Sequence, residues 1–445
     1  MGRLFGTDGI RGVAGGELSG ELAFSLGRAA VIALTEQGER RPRIAVGRDT
    51  RASGEFLEAA LSAGICSAGG DVVALGVVTT PAVAFLTCDL RNQGGAMISA
   101  SHNPAEDNGI KFFAASGYKL ADELEDEIER LVESGEGPRP TGRDVGRITW
   151  APGAEQRYLR HLEEAAGGRL DGLRVVVDCA NGAASVLGPE VLRRLGAEVV
   201  AIHDRPDGWN INDGCGATLP EVVARAVIEA GADAGVALDG DADRAIFADA
   251  RGRVVDGDQV LAAFALAAHD EGDLPGDLVV ATVMSNLGLR LLMQEAGLSL
   301  VEARVGDRYV LEEMLRTGAV LGGEQSGHVI FLRHATTGDG LLTAVRFLAL
   351  AAGRDVPIAD VAALMHRYPQ VLRNVEVADR GALDDNQVVW AAVRQAEEAL
   401  GSRGRVLVRA SGTEPLVRVM VEASTEDEAA AHAEAISGAV QAALG

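Results

Sequence analysis

Short runs of β-branched and other apolar residues alternate along most of this chain with longer stretches in which apolar residues recur at helical spacing. Such alternation is typical of strand–helix–strand units. Near the start, residues 43–49 and 71–76 predict strands, and Gly54–Ala68 predicts the helix between them. A third strand, residues 94–101, ends in a polar turn. The pattern therefore predicts an α/β domain in this part of the chain.

The same pattern returns twice and then changes. The segment from about Gly135 to Arg147 has no periodicity and predicts a linker. From about His366 the order becomes a helix, a hairpin around a Gly-containing loop and an Ala-rich helix. The length of 445 residues also favours several domains. We predict three similar α/β domains and a smaller α+β domain at residues 1–150, 151–252, 253–365 and 366–445.

Composition and charge narrow the classes of function. The net charge of −24 argues against general binding to nucleic acids or anionic membranes, since those partners need basic surfaces. Any phosphate site must therefore be built locally. The longest apolar run, Val260–Ala268, is too short to cross a bilayer. The four cysteines form no CxxC pair and have no nearby His at zinc spacing. We expect buried, reduced thiols in a cytoplasmic protein.

The first motif with chemical potential is ISASHNPAEDNGIK, residues 98–111. Ser101 lies where a strand gives way to a turn, so its hydroxyl would be exposed among free backbone donors. Serine is a weak nucleophile unless it is activated or already carries a transferable group. A turn of this composition also forms with Ser and Asn as local caps. The motif alone leaves both interpretations open.

The second motif is LDGDADR, residues 238–244, in which Asp239, Asp241 and Asp243 alternate with small residues. Alternation along an extended loop would place the three carboxylates on one side. Oxygen ligands in this arrangement suit Mg²⁺. The alternative is a solvated acidic turn, but three aligned carboxylates repel each other and favour a cation.

Two later motifs suit a sugar phosphate. In GGEQSGH, residues 322–328, Glu324 and Ser326 would point the same way from an extended segment and could hold neighbouring sugar hydroxyls, while His328 could move a proton. In RASGTEPLVRV, residues 409–419, cationic and hydroxyl side chains with a Gly backbone could converge on one anion. Each motif could also be an ordinary turn. The residues of this predicted phosphate loop are Arg409, Ser411, Gly412, Thr413 and Arg418.

These motifs, in this order, resemble the α-D-phosphohexomutase superfamily along essentially the whole chain. Further matching segments are GTDGIRG, which contains Arg11, and RVGDRYV, TTGDGLLTA and RASGTEPLVRVMVE. The resemblance implies an α/β fold with a four-domain phosphohexomutase architecture around a central cleft. Within the superfamily, the sequence is most similar to bacterial members that interconvert glucosamine 6-phosphate and glucosamine 1-phosphate. That isomerisation feeds UDP-N-acetylglucosamine and peptidoglycan synthesis.

The resemblance also implies a role for each matching residue. Ser101 would be a phosphoserine, and Asp239, Asp241 and Asp243 would bind one Mg²⁺ per subunit together with its phosphate. Glu324 and Ser326 would hold sugar hydroxyls, and the phosphate loop would hold the phosphate that is not transferred. Arg11 and Arg244 would add positive charge. The intermediate and activator would be glucosamine 1,6-bisphosphate. The first phosphate would come from an unknown kinase or from autophosphorylation, and the resemblance allows a homodimer.

Two features of the sequence leave questions for the structure. Lys111 resembles the superfamily's general acid or base, but nearby phosphates would raise the pKa of an amine, so His328 competes for that role. Ala242 stands where the superfamily usually has Gly, and Ala disfavours a positive φ. If the metal loop needs that angle, we expect it to bend differently here.

Three interpretations of function follow from the sequence. The first is a mutase for glucosamine phosphate, favoured by Gln325 and by the segment VGDRYV. The second is a phosphomannomutase or phosphoglucomutase, which would share all the catalytic motifs. The third is a non-catalytic, phosphate-sensing binding protein. The third predicts missing ligands or a missing serine, whereas all of them are present in the sequence.

Overall fold

The computed structural model describes residues 4–6, 8–35, 41–411 and 415–445, and the chain divides into two compact units. The first unit contains the described residues through Val283 and the segment Ser299–Leu364. The second contains Met284–Leu298 and the described part of Met365–Gly445. The first unit holds three α/β modules, and the second holds one α+β module.

The first module is a mixed six-stranded sheet covered by helices. Its strands are β1 (Ile10–Val13), β2 (Arg43–Arg48), β3 (Asp71–Val77), β4 (Gly94–Ile98), β5 (Asp107–Ala114) and β6 (Ile148–Trp150). Its helices are α1 (Gly20–Ala33), α2 (Ser53–Ser67), α3 (Thr80–Asp89) and α4 (Asp122–Ser134). The strand order is β1-β5-β4-β2-β3-β6, with β2, β3, β4 and β6 parallel and β5 antiparallel to both of its neighbours.

The second module has a five-stranded sheet in which the last two strands run antiparallel to their neighbours. Its strands are β7 (Arg174–Asp178), β8 (Glu198–Ile202), β9 (Ala234–Leu238), β10 (Ala245–Asp249) and β11 (Val254–Val255). Its helices are α5 (Ala154–Ala165), α6 (Leu187–Arg194) and α7 (Glu221–Ala230). The strand order is β11-β10-β9-β7-β8.

The third module has a four-stranded sheet. Its strands are β12 (Leu278–Thr282), β13 (Ser299–Ala303), β14 (Leu321–Gly323) and β15 (Val329–Phe331), in the order β13-β12-β14-β15. The helices of this part of the chain are α8 (Gly257–Asp270), α9 (Leu287–Glu295), α10 (Asp307–Thr317), α11 (Gly340–Gly353) and α12 (Ile358–Ala362). Of these, α9 belongs to the second unit.

One four-strand pattern recurs in all three modules. The strand orders β3-β2-β4-β5, β8-β7-β9-β10 and β13-β12-β14-β15 are equivalent, with three parallel strands followed by one antiparallel strand. The connection between the third and fourth strands of the pattern is therefore the same structural position each time. Residues 99–106, 239–244 and 324–328 occupy it. These three turns carry the three predicted motifs of the α/β domains.

The second unit contains an antiparallel sheet in the order β16-β18-β17, formed by Gln370–Glu376, Leu416–Glu422 and Arg405–Ala410 respectively. The helices α13 (Gln387–Leu400) and α14 (Glu426–Leu444) share a hydrophobic core with this sheet. The predicted hairpin is confirmed as β17 and β18. The three similar α/β domains and the smaller α+β domain predicted from the sequence are also confirmed.

Other expectations from the sequence had mixed outcomes. The predicted linker forms only a short 3₁₀ turn, Gly142–Asp144, before β6 joins the edge of the first sheet. The expectation of four buried thiols was wrong for two of them, because Cys88 is exposed and Cys66 is partly exposed. In the described parts of the chain, no helix has the length and apolar character needed to cross a membrane.

The packing of α1 against α2 depends on two glycines. A Cβ atom on Gly27 would lie 2.2 Å from the carbonyl oxygen of Leu61, and one on Gly64 would lie 2.1 Å from that of Phe24. The two helix backbones are therefore in direct contact. Both obstacles are main-chain atoms, which cannot move aside as a flexible side chain could.

We predict that Gly64→Ala destabilises the protein by about 1–3 kcal/mol or more, because the added methyl group must separate two packed helices. The matched control is Gly438→Ala in α14, where a Cβ atom meets nothing within 4 Å. That change should stabilise its helix by about 0.5–1 kcal/mol. Urea denaturation followed by circular dichroism measures both. Equal stability of the two variants would contradict the close helix contact.

Candidate active site

Ser101 begins the turn after β4 in a strained conformation. Its φ of 52° lies in the left-handed region, which is uncommon for a residue with a side chain. Its side chain is almost fully buried, and the hydroxyl Oγ donates to Oδ2 of Asp239 at 2.6 Å. The serine of the first module thus directly contacts the acidic loop of the second. This contact joins the two motifs that the sequence predicted separately.

A buried arginine holds the backbone of this turn. Arg51 is 0% exposed, and its Nη2 donates to the carbonyl oxygens of Ser101 at 3.0 Å and Asn103 at 2.9 Å. Its Nη1 donates to the carbonyl oxygen of Pro104, and its Nε donates to Oδ2 of Asp49 at 2.9 Å. Three carbonyl groups of the strained turn are therefore satisfied by one guanidinium group.

Asp49 completes this network. It accepts hydrogen bonds from the backbone N–H of Arg51 at 2.9 Å and from Oγ of Ser99 at 2.6 Å, and Oγ of Ser99 accepts the N–H of Ser101 at 3.0 Å. Burial raises the pKa of Asp49, while Arg51 and Ser99 act in the opposite direction. The pair was missed in the sequence analysis. The signal was present, since Asp49 and Arg51 directly follow the strand segment RIAVGR.

The second module also supports the Ser101 turn. Nδ2 of Asn212 donates to the carbonyl oxygens of Ser101 at 2.9 Å and Asn103 at 3.0 Å. Oγ1 of Thr50 donates to the carbonyl oxygen of Asn181 at 2.6 Å. These contacts connect residues far apart in the sequence, so no local pattern could have identified them.

The three aspartates form a compact buried cluster in the turn between β9 and β10. Asp239, Asp241 and Asp243 are at most 5% exposed, and one carboxylate oxygen from each lies within 4.8 Å of the others. Burial raises the pKa of Asp239 well above its usual range, and the charges of Asp243 and Asp241 raise it further. Like charges this close in a buried site are costly unless a cation compensates them.

A second observation, independent of the residue types in the cluster, indicates that the cluster suits a divalent cation. Among the described residues, Oδ1 of Asp241 and Oδ1 of Asp243 have no hydrogen-bond partner, although both are buried. Buried carboxylate oxygens without a partner are rare in folded proteins. Hard oxygen ligands of this kind suit Mg²⁺. The residues present therefore fit the metal that the resemblance implied.

The geometry of this loop corrects two expectations. The carboxylates converge because the chain turns, with the N–H of Ala242 donating to the carbonyl oxygen of Asp239 at 3.0 Å, and not because they alternate along an extended segment. Ala242 has a φ of 56°, so the loop adopts the positive angle despite the Cβ atom. The expected difference in bending is wrong. The loop instead carries about 1 kcal/mol of backbone strain that Gly would avoid.

Cationic side chains surround the acidic cluster. Nζ of Lys111, on β5, lies 2.8 Å from Oδ2 of Asp8 and 3.0 Å from Oδ2 of Asp241. Burial alone would lower the pKa of Lys111, but the charges of Asp241, Asp8 and Asp243 raise it. Lys111 is therefore held as an ammonium group.

Two arginines lie in the same region. Arg11 forms an ion pair with Asp8, which itself contacts Lys111. The backbone N–H of Arg244 donates to Oδ1 of Asp239 at 3.2 Å, and its Nε lies 3.7 Å from Oδ1 of Asp243. Oγ1 of Thr80, at the start of α3, donates to Oδ2 of Asp241 at 2.6 Å. Asp8 and Thr80 were not identified from the sequence, because only the tertiary structure places them beside the cluster.

The predicted sugar-binding motif forms a turn between β14 and β15, so the expectation of an extended segment was wrong. The N–H of Gly327 donates to the carbonyl oxygen of Glu324, and the N–H of Glu324 donates to that of His328. The two residues predicted to bind sugar hydroxyls therefore differ in their exposure. Glu324 is buried and its Oε1 accepts the N–H of Gly306 at 3.0 Å, whereas Ser326 is exposed.

His328 connects this turn to the acidic cluster. It is 1% exposed, its Nδ1 lies 3.6 Å from Oδ2 of Asp243, and its Nε2 accepts the N–H of Gly338 at 3.1 Å. Burial alone would lower the pKa of His328, but the hydrogen bond and charge of Asp243 raise it. The imidazole of His328 therefore pairs with the carboxylate of Asp243.

The predicted phosphate loop lies in the second unit. Arg409 on β17 and Arg418 on β18 are directly opposite each other in the antiparallel register. Burial lowers the pKa of Arg409, and the charge of Arg418 lowers it further. Two like charges placed side by side favour a bound anion. Ser411, which follows β17, is buried, while Gly412 and Thr413 lie outside the described residues.

Comparison with known proteins identifies the family to which this chain belongs. Four domain families, all described as phosphoglucomutase/phosphomannomutase, match consecutive parts of the chain. They are alpha/beta/alpha domain I at residues 2–139, domain II at 156–252, domain III at 256–368 and the C-terminal domain at 372–439. The chain belongs to the phosphoglucomutase/phosphomannomutase family.

Within the family, the chain is similar over its whole length to curated proteins named phosphoglucosamine mutase. It is 58% identical to the one from Symbiobacterium thermophilum, with 95% of each chain covered. It is 56% identical to the one from Thermobifida fusca, with 99% of this chain and 98% of that one covered. The third, from Frankia alni, is 55% identical, with 100% of this chain and 99% of that one covered.

Solved structures give the same family fold. A phosphoglucomutase/phosphomannomutase family protein from Burkholderia thailandensis has a TM-score of 0.83 at 26% identity, with 99% of this chain and 97% of that chain covered. The N-acetylphosphoglucosamine mutase of Aspergillus fumigatus, solved with GlcNAc-6P and magnesium, has a TM-score of 0.69 at 20% identity. That match covers 99% of this chain and 96% of the other, and at this identity it shows a shared fold alone.

We predict that Arg51→Met destabilises the protein by about 3–5 kcal/mol, because it leaves the carboxylate of Asp49 buried without its partner. The double change Asp49→Asn with Arg51→Met should recover part of this loss, since it removes the isolated charge. Chemical denaturation of the full chain measures both. The control is Arg130→Met on the solvent-facing side of α4, where the arginine side chain is 53% exposed and a change within about 0.5 kcal/mol is expected. A similar loss for Arg51→Met and Arg130→Met would contradict the network.

Proposed function

We propose that this protein is a phosphoglucosamine mutase, an isomerase that interconverts glucosamine 6-phosphate and glucosamine 1-phosphate. The observation that carries the proposal is the 2.6 Å contact between Oγ of Ser101 and Asp239. This contact lies inside a buried carboxylate cluster in which two oxygens lack hydrogen-bond partners among the described residues. A hydroxyl at a cation-binding cluster is suited to carry a phosphoryl group. The similarity to curated phosphoglucosamine mutases supports the choice of sugar.

In the proposed reaction, phospho-Ser101 gives its phosphoryl group to the free hydroxyl of a bound monophosphate. The bond from phosphorus to Oγ of Ser101 breaks and a bond to the sugar oxygen forms. The proton of the sugar hydroxyl ends on Oγ of Ser101, and the product is glucosamine 1,6-bisphosphate. This intermediate turns end for end and returns its other phosphoryl group to Ser101. An enzyme without phosphate on Ser101 can take a phosphoryl group from the same intermediate, so the intermediate also serves as the activator.

Asp239, Asp241, Asp243 and the Ser101 phosphate would hold Mg²⁺, which stabilises negative charge on the transferring group when bound. The protein's own part in the step is positioning, since phosphoryl transfer leaves little covalent chemistry to side chains. Arg51 and Asn212 fix the turn from which Oγ of Ser101 projects. His328 neighbours Asp243, and Thr80 holds Asp241 through a hydrogen bond.

Lys111 acts in this proposal as a cation. Its position between Asp8 and Asp241 and its raised pKa keep the amine protonated, which suits the stabilisation of charge better than proton transfer. Arg11 and Arg244 add positive charge nearby. Together these groups compensate locally for a protein whose net charge is −24.

The remaining roles complete the proposal. Glu324 and Ser326 bind sugar hydroxyls. The non-transferred phosphate binds the loop of the last domain, at Arg409, Ser411, Gly412, Thr413 and Arg418. We place the domain boundaries at residues 1–150, 151–252, 253–365 and 366–445. A kinase or autophosphorylation supplies the first phosphate, and the enzyme acts in the cytoplasm, as a homodimer, in the supply of UDP-N-acetylglucosamine.

Substrate preference tests the proposed function. With Mg²⁺ and a catalytic amount of the matching 1,6-bisphosphate, the phosphorylated enzyme should convert glucosamine phosphate with a kcat/KM at least about tenfold above that for glucose or mannose phosphate. Ser101→Ala should lose activity and should gain no phosphoryl mass on incubation with glucosamine 1,6-bisphosphate. Ser424→Ala, on an exposed turn, is the matched control.

Each part of the proposal has its own contrary result. A preference for glucose or mannose phosphate would make the protein a phosphoglucomutase or phosphomannomutase with the same chemistry. Full activity of Ser101→Ala would exclude the phosphoserine. Absence of turnover on all three sugars by stoichiometrically phosphorylated enzyme would favour a phosphate-sensing binding protein.

A separate prediction concerns Lys111. Lys111→Met should lower kcat by about 10²–10³, the usual loss when one charge-stabilising donor is removed. Lys111→Arg should retain most of the activity and the shape of the pH–rate profile, because it keeps the positive charge. If Lys111→Arg loses as much activity as Lys111→Met and also loses one limb of the profile, Lys111 transfers the proton. His328→Asn, measured in parallel, reports on the competing candidate.

A further inference from the structure

The second module contains a group of metal-ligating side chains apart from the acidic cluster. Asp178 ends β7, His203 follows β8, and Cys215 lies in the loop before α7. One ligand atom from each, a carboxylate oxygen, an imidazole nitrogen and the thiol sulfur, lies within 4.8 Å of the others. The proposed function uses none of them.

The thiol of Cys215 is a second and independent indication of a ligand. Cys215 is 0% exposed and unoxidised, and its Sγ makes no hydrogen bond to any residue that the structure describes. It nonetheless lies beside the fully buried carboxylate of Asp178 and an imidazole, and not only among apolar groups. A buried thiol whose only role is apolar packing does not need a carboxylate or an imidazole beside it.

The geometry of the other two ligands is already fixed. Oδ1 of Asp178 lies 3.0 Å from Nδ1 of His203 and accepts the N–H of Ala180 at 3.0 Å, and Oδ2 accepts the N–H of Gly216 at 3.0 Å. Backbone donors thus orient the carboxylate, as outer partners commonly do at metal sites. The side chain of His203 is 33% exposed, which leaves a route to solvent for the ion and for a water ligand.

The electrostatics favour a cation over a reactive thiol. A nucleophilic cysteine needs a lowered pKa, whereas burial raises the pKa of Cys215 to about 12 and the charges of Asp178 and Asp213 contribute. A negative potential around a thiol opposes free thiolate but attracts a metal ion, which displaces the thiol proton directly. Chemistry by a Cys–His–Asp triad is therefore disfavoured at this position.

We propose that Asp178, His203 and Cys215 form a binding site for a borderline-soft divalent cation of the Zn²⁺ class. Thiolate and imidazole ligands select such ions over Mg²⁺, and three protein ligands with one water complete a tetrahedron. The ion replaces the proton on Sγ, which leaves to solvent, and the imidazole proton moves from Nδ1 to Nε2. The two charges of the ion balance those of the carboxylate and the thiolate, so the buried site becomes neutral.

The site bears on the Ser101 turn through a short connection. Asn212, three residues before Cys215, donates its side chain to the carbonyl oxygens of Ser101 and Asn103, and its N–H donates to the carbonyl oxygen of Ala180 at 2.9 Å. Asn212 and Ala180 both have a positive φ, at 58° and 52°. An ion that joins Asp178 to Cys215 would stabilise the two strained segments that support the turn.

Cobalt(II) binding to the full-length, metal-stripped protein tests the proposal. Mg²⁺ is kept in large excess to occupy the oxygen-only aspartate cluster, where cobalt could bind but could give no sulfur-based absorption. One equivalent of Co²⁺ should produce a thiolate-to-cobalt charge-transfer band in the near ultraviolet, and Zn²⁺ should abolish it. Zn²⁺ should also raise the thermal unfolding temperature.

The variants separate this site from other thiols. Cys215→Ser should lose the band and the thermal shift, whereas Cys179→Ser, which removes the neighbouring buried thiol, should keep both. His203→Gln leaves all buried residues intact and should weaken Co²⁺ binding at least about tenfold. Absence of the band in the wild type, or an equal band in correctly folded Cys215→Ser or His203→Gln, would overturn the proposal. These readouts do not depend on mutase activity, so they stand apart from the proposed function.

Discussion

The candidate site depends on the ion pair between Arg51 and Asp49, which is withdrawn entirely from water. The turn after β4 directs three carbonyl groups inward, and a positive φ at Ser101 leaves them without partners in any sheet. A single guanidinium supplies hydrogen bonds to all three, since Arg presents several donors in one plane. Asp49 neutralises that charge and, through Ser99, also fixes the N–H of Ser101. Without the pair, the turn that carries Ser101 would lose three hydrogen bonds to its backbone.

Repetition of one strand pattern explains how the site is assembled. In each α/β module the functional turn joins the last parallel strand to an antiparallel one. A turn in this position extends beyond the ends of its two paired strands, so its backbone groups and side chains can meet those of another module. Ser101 contacts Asp239 from the first to the second module, and His328 neighbours Asp243 from the third. The fold thus brings together, from equivalent positions, the serine proposed to carry phosphate, the carboxylates proposed to bind a cation, and a histidine beside them.

Charge is balanced within this site and not across the protein. Buried carboxylates at residues 239, 241 and 243 stand against Lys111 and Arg244, and Asp8 links Lys111 to Arg11. If Lys111 lost its proton, the buried carboxylates around it would lose a compensating positive charge. The pKa of Lys111 is therefore raised despite its burial. The proposed Zn²⁺ site follows the same rule, since its ion would neutralise a buried carboxylate and thiolate.

The sequence by itself determined the class of each module, the motifs and their order, because these depend on local periodicity and on residues close together in the chain. It did not determine why the motifs converge. Asp239, Asp241 and Asp243 meet through a turn with a strained Ala242. At another turn Glu324 is buried and Ser326 is exposed, although alternation had indicated extended segments. Arg51, Asn212, Asp8 and Thr80 act on groups distant in sequence. Cys215 and His203 show no metal-binding spacing, yet the end of β8 and the loop before α7 bring them together beside Asp178. Such contacts are decided by strand order and burial, which only the tertiary structure specifies.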